Sequence, residues 1–78
     1  MNNNQVVFAV LDKRMDCDKY LSFHKTEYVA KDILKEYYKD VNPENLDSDV
    51  QLKEDRIVRI KTDRIEEILL IIEPIILK

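Results

Sequence analysis

Cys17 and His24 are the only cysteine and the only histidine in this chain of 78 residues, so a Cys–His pair is the first chemistry to weigh. A thiolate nucleophile needs contact with its base, and the base needs a third group to orient it. The chain between them reads as a hairpin that could bring them within a strand's length, with Asp16 and Asp18 beside the thiol. Two neighbouring carboxylates disfavour the thiolate form that such a nucleophile requires. The chain is therefore read as a non-enzyme. One histidine and one cysteine cannot close a four-ligand zinc site in a monomer. The acids of 44–55 lack the D-x-[DN]-x-[DN]-G order of a calcium loop. No metal and no cofactor is expected.

Glycine is absent altogether, where average usage would supply about five. P-loops, Rossmann turns and nucleophile elbows all need backbone without a Cβ, so those functions are excluded. A lone cysteine gives no internal disulfide and no sign of an oxidising compartment. Leu, Ile, Val and Phe make up 26 of the 78 residues, enough for a folding chain. The start, Met1–Gln5, has no basic region, and residues 1–4 are expected to be disordered. The apolar run Ile65–Leu77 is broken by Glu66, Glu67, Glu73 and Pro74, which argues against a membrane span. The expectation is one domain, soluble and cytoplasmic.

The remaining chemistry lies in how charge is distributed. The net charge of −3 divides into +1 over residues 1–39, −5 over 40–55 and +1 over 56–78. Asp32, Glu36 and Asp40 recur every four residues, so on a helix they form one stripe rising about 6 Å per step. Neighbouring phosphates along a DNA strand lie at a similar spacing, about 7 Å apart. Glu44, Asp47, Asp49, Glu54 and Asp55 continue the row into an acidic loop at 42–55. Such a row can imitate a nucleic-acid backbone. Against that stand Lys31, Lys35 and Lys39 on the neighbouring stripe, where i,i+3 pairing would make the helix an ordinary solvated face. A basic run, Arg56, Arg59, Lys61 and Arg64, could contact single-stranded nucleic acid with Tyr20, Tyr28, Tyr37 and Tyr38 stacking on bases. Pairing of those bases with the acids of 40–55 is the simpler reading. A pI near 5.1 also opposes direct nucleic-acid binding.

Elements that position these residues follow from periodicity. Gln5–Asp12 is a β-branched apolar run with both faces needing cover, hence a central strand. Lys19–Phe23 alternates and forms a hairpin with it. Thr26 caps a helix over 27–40, whose buried stripe is Ala30, Ile33, Leu34, Tyr37 and Val41 and whose stop is Asn42-Pro43. A short strand is available at Val50–Leu52, and Arg56–Lys61 is another. Asp63 with Glu66 resembles a capping box opening a second helix, with Ile65, Ile68, Leu69 and Ile72 buried. Pro74–Lys78 can serve as a short edge strand. The fold class is α+β: a two-layer domain, mainly antiparallel, ββαβα, with two helices on one face.

Eight of the nine isoleucines lie between Ile57 and Ile76, more than one small core absorbs. The surplus predicts a homodimer through the C-terminal region, at Ile68, Leu70, Ile71, Ile75 and Ile76. In size, acidity and layout, with the polar start MNNNQ and the row Asp32 to Asp55, the chain resembles small acidic early proteins of bacteriophages. Some of these act as DNA mimics. That resemblance implies an inhibitor working in an infected bacterial host. Its partner would be a basic nucleic-acid-binding protein, such as the nucleoid protein HU or the transcription or defence machinery. The alternative is a structural or regulatory homodimer acting through its apolar C-terminal helix.

Overall fold

A computed structural model describes residues 5–77; the expectation for residues 1–4 lies outside them. The elements are β1 (Gln5–Asp12), β2 (Lys19–His24), α1 (Glu27–Val41), a 3-10 turn (Pro43–Asn45), β3 (Val50–Leu52), β4 (Arg56–Thr62) and β5 (Ile65–Leu77). The strands form one sheet in the order β2-β1-β5-β4-β3. Every neighbouring pair is antiparallel. The α+β class and the mainly antiparallel sheet are as expected. No helix among the described residues is long and apolar enough to cross a membrane.

The second helix is absent from residues 63–73. Asp63 sits in a turn, and Ile65–Leu77 is a single strand of 13 residues that absorbs the expected C-terminal strand as well. It is the backbone of the sheet, paired with β1 on one side and β4 on the other. Six of its residues are isoleucine, a β-branched residue whose stiff side chain suits a pleated surface better than a helix. Pro74 is tolerated for a specific reason. The Ile72 N–H points to the β4 side and donates to the Asp55 carbonyl (2.8 Å). Pro74, two residues on, would point its missing N–H the same way, past the last β4 pairing at Arg56↔Ile71. No ladder bond is lost there.

Helix α1 begins where expected. The Thr26 hydroxyl accepts the Val29 N–H (3.2 Å), and Glu27 occupies the first turn and pairs with Lys31. Its Ala30 and Leu34 are buried against Val10, Ile57, Leu69, Leu70 and Ile72 of the sheet, with Val50 at the margin. Among the described residues no helix packs on the far face of the sheet.

Asp12 ends β1, and its side chain holds the turn that opens the connector to β2. Its carboxylate accepts the Arg14 backbone N–H (2.9 Å) and, from both oxygens, the Arg14 guanidinium (3.0 and 2.8 Å). Those hydrogen bonds from Arg14 hold its carboxyl below the ordinary value of 3.8, against the opposing effect of burial. A group held low in the folded state stabilises fully above its ordinary value, and that stabilisation fades as pH falls through the lowered one. Asp12→Ala is expected to cost roughly 1–2 kcal/mol at neutral pH. It should also weaken the fall in stability as pH drops below the ordinary value of 3.8. Urea denaturation at several pH values checks this, and an unchanged acid limb would count against the role given to Asp12.

Candidate partner-binding surface

The acidic segment after α1 is a built loop. Asn42, only 3% exposed, caps the helix, its backbone N–H donating to the Tyr38 carbonyl (2.9 Å). Its side-chain amide then fastens the chain that follows. Nδ2 donates to the Asp47 carbonyl (2.9 Å) and the Tyr38 hydroxyl (3.1 Å), with a longer contact to the Val50 carbonyl (3.4 Å). Oδ1 accepts the Asp47 N–H (2.9 Å). Tyr38 in turn donates to the Val50 carbonyl (3.3 Å), and the Asp47 carboxylate accepts the Asp49 N–H (3.0 Å). Between these anchors the backbone is left-handed at Glu44 (φ 57°) and Asn45 (φ 56°). Asparagine tolerates that region; for glutamate it costs about 1–2 kcal/mol. An exposed glutamate is thus held at a position where glycine would be cheaper.

The eight acids of the expected row fall into two sets. Asp32 pairs with Lys35 (3.9 Å), Glu36 with Lys39 (3.5 Å), Asp47 with Arg59 (2.8 Å) and Asp55 with Arg56 (2.9 Å). Hydrogen bonds from Arg59 and Arg56 hold the Asp47 and Asp55 carboxyls below their ordinary value, so both stay ionised. Asp40, Glu44, Asp49 and Glu54 are exposed and have no ion-pair partner among the described residues. Asp40 lies in the last turn of α1 and Glu44 just beyond it, where the helix dipole is already negative. These acids add to that pole. Lys31, Lys35 and Lys39 line a shallow trough between α1 and β3.

No family model, curated protein or solved structure matches this chain. Its surface chemistry must therefore be read from its own side chains.

Cys17 is exposed in the β1–β2 connector and His24 ends β2, so the whole of β2, roughly 20 Å at strand rise, separates them. The His24 Nε2 is 2.7 Å from the Ser22 hydroxyl instead. Among the described residues no three His, Cys, Asp or Glu side chains come together to hold a metal. In the basic run, Arg56 and Arg59 pair with acids of the loop and Lys61 with Glu67 (3.6 Å). Only Arg64, in the β4–β5 turn, lacks an ion-pair partner among the described residues.

The residues expected at a dimer interface do not share a surface. Leu70 is fully buried beneath α1 and is unavailable to any partner. Ile76 pairs with Val6 on the helix side of the sheet, where both are exposed. Ile68, Ile71 and Ile75 are half-buried on the opposite face. Sequence reasoning took Asn42 only as a helix stop. The asparagine before Pro43 was the available signal, but its network requires knowing where Asp47 and Val50 return.

Proposed function

We propose that this chain is a non-enzymatic binding protein that presents an acidic pole to a basic partner, occupying the surface with which that partner contacts nucleic acid. The reading rests on one observation: Glu44 is kept in left-handed backbone, inside a loop fastened by the buried Asn42, among acids without ion-pair partners. Strain held in place by surrounding hydrogen bonds is a mark of functional segments. Pre-ordering also spares the entropy of fixing the loop on binding. The pairing of Asp32, Glu36, Asp47 and Asp55 with lysines and arginines narrows the row to Asp40, Glu44, Asp49 and Glu54, of which Asp40, Glu44 and Asp49 lie in the last turn of α1 and the loop after it.

The test is competition with a fluorescent DNA duplex bound to a basic nucleoid protein such as HU. The wild type should displace the duplex, more strongly at low salt, because exposed charges are screened within about 10 Å at 0.1 M. Joint reversal of Asp40, Glu44 and Asp49 to lysine should reduce displacement at least about tenfold. Glu44→Gly relieves about 1–2 kcal/mol of strain against about 0.5–1 kcal/mol of added chain entropy, so it should leave the fold as stable or slightly more so while weakening displacement. Displacement unchanged by the triple reversal would reject the acidic pole.

A further inference from the structure

We propose that the trough between α1 and β3 takes a short extended peptide with acidic side chains at alternate positions, added as an antiparallel strand beside β3. The inference is independent of the acidic pole, because it concerns a ligand of the opposite charge and either reading can fail alone.

Strand β3 closes one edge of the sheet, and its backbone decides what can pair there. The Ile60 N–H donates to the Asp49 carbonyl (2.8 Å) and the Lys53 N–H to the Arg56 carbonyl (2.8 Å). Asp49, Gln51 and Lys53 thus turn their backbone groups toward β4, and Val50 and Leu52 turn theirs outward. At Val50 the outward groups are engaged. Its carbonyl accepts from the Tyr38 hydroxyl (3.3 Å) and Asn42 Nδ2 (3.4 Å), and its N–H donates to the Asp47 carbonyl (3.3 Å). At Leu52 the outward N–H and C=O have no partner among the described residues. A donor and an acceptor on one edge residue are what a neighbouring antiparallel strand pairs with. An added strand therefore has one register, set by Leu52.

The trough follows that edge as two adjoining depressions of about 340 and 390 Å³, which share Lys35 and Leu52. The Leu52 side chain lies on the α1 side, two residues after the buried Val50, and supplies apolar surface with Tyr28 and Tyr38. Charge then selects the peptide. Lys31, Lys35 and Lys39 line the helix wall one turn apart, about 6 Å per step. Alternate side chains of an extended strand share a face and repeat at about 6.8 Å, so three acids at alternate positions meet the three lysines in step. Lys53 adds a fourth cation from the end of β3. The lysines' own partners yield readily. Lys35–Asp32 (3.9 Å) and Lys39–Glu36 (3.5 Å) are long pairs between exposed groups, which water already weakens. Glu54 borders one depression and Glu44 the other, which confines an acidic segment to the lysines between them.

The probe is a fluorescent synthetic peptide of alternating glutamate and valine, followed by anisotropy at low salt. It should bind and slow amide exchange at Leu52; no binding overturns the proposal. A peptide of the same composition with its glutamates contiguous should bind roughly tenfold more weakly. Equal binding would reduce the trough to general charge attraction and overturn the strand addition. Combining Lys35→Glu with Lys39→Glu should weaken binding roughly 10- to 100-fold, and unchanged binding would reject the lysine row. Leu52→Pro removes the outward N–H and no bond to β4, so circular dichroism should hold while binding falls about tenfold. The peptide tests the same pairing should that variant fail to fold. A residue opposite Leu52 shares its face, so the glutamates turn their N–H groups toward β3 and the valines away. N-methylation of the glutamates should abolish binding and N-methylation of the valines should not; equal effects would overturn the pairing.

Discussion

Leu34→Ala and Leu70→Ala are each expected to lower the unfolding free energy by about 3 kcal/mol, within the roughly 2–5 kcal/mol range for truncating buried leucines. Both side chains are fully buried in one cluster, Leu34 from the helix and Leu70 from the strand beneath it. A chain of this length has on the order of 4–12 kcal/mol of stability in total, so either change removes a large fraction. Ile76→Ala is the internal control. Its side chain is 61% exposed, and its truncation should stay within about 0.5 kcal/mol. Urea denaturation separates the cases. Equal losses at Leu70 and Ile76 would mean that residues 68–76 do not form the strand described, since a helix there would bury a different set.

That strand is where sequence reading failed, and the reason is geometric. Ile65, Ile68, Leu69 and Ile72 recur at the three- and four-residue intervals of a helix. A regular strand buried on one face would show a period of two. Of these four only Leu69 and Ile72 lie in the helix-side core, while Ile68 is on the opposite face and Ile65 is exposed, so the helical spacing mixes two faces of one strand, with the bulge at Leu69 inserting one residue between them. Strand β5 also carries apolar residues on both faces, which removes the alternation that usually identifies a strand. By contrast, Gln5–Asp12, Thr26 as N-cap and Val50–Leu52 were legible because each depends on a local pattern alone.

The pairing on the surface was legible as classes of partner, basic run with acidic segment and helix lysines with helix acids, but not always residue by residue. Asp32–Lys35 and Glu36–Lys39 follow from helical spacing. Asp47–Arg59 depends on β4 returning beside the loop, which no local pattern announces. The lack of glycine was the most informative single count. Side chains hold the other connections by bonding the backbone two residues on: Asp12 accepts the Arg14 N–H, Asp47 the Asp49 N–H, and Thr62 the Arg64 N–H, while left-handed backbone falls on Glu44 and Asn45. Two of these three turn-forming side chains are acids, so turn formation and negative charge coincide at Asp12 and Asp47.

Asn42→Ala is expected to cost about 2–3 kcal/mol and to loosen the acidic loop, because it strands part-buried partners. The Asp47 N–H loses its acceptor, and the Asp47 carbonyl and the Tyr38 hydroxyl lose a donor. Each buried polar group left unpaired costs about 1–3 kcal/mol, partly recovered where water enters. Asn42→Asp is the sharper variant. It keeps an acceptor for the Asp47 N–H but turns a second oxygen toward the Asp47 and Val50 carbonyls, at the negative end of α1. Burial and those oxygens would raise the new carboxyl's pKa. A raised carboxyl destabilises the fold above that pKa and recovers as pH falls through it. The deficit of Asn42→Asp should therefore exceed that of Asn42→Ala at neutral pH and shrink in mild acid, whereas that of Asn42→Ala should not. Urea denaturation at several pH values, with amide exchange at Asp47, reads both effects. A neutral Asn42→Ala would mean that the loop is not held by this side chain, and Glu44 would then have no reason to stay in left-handed backbone.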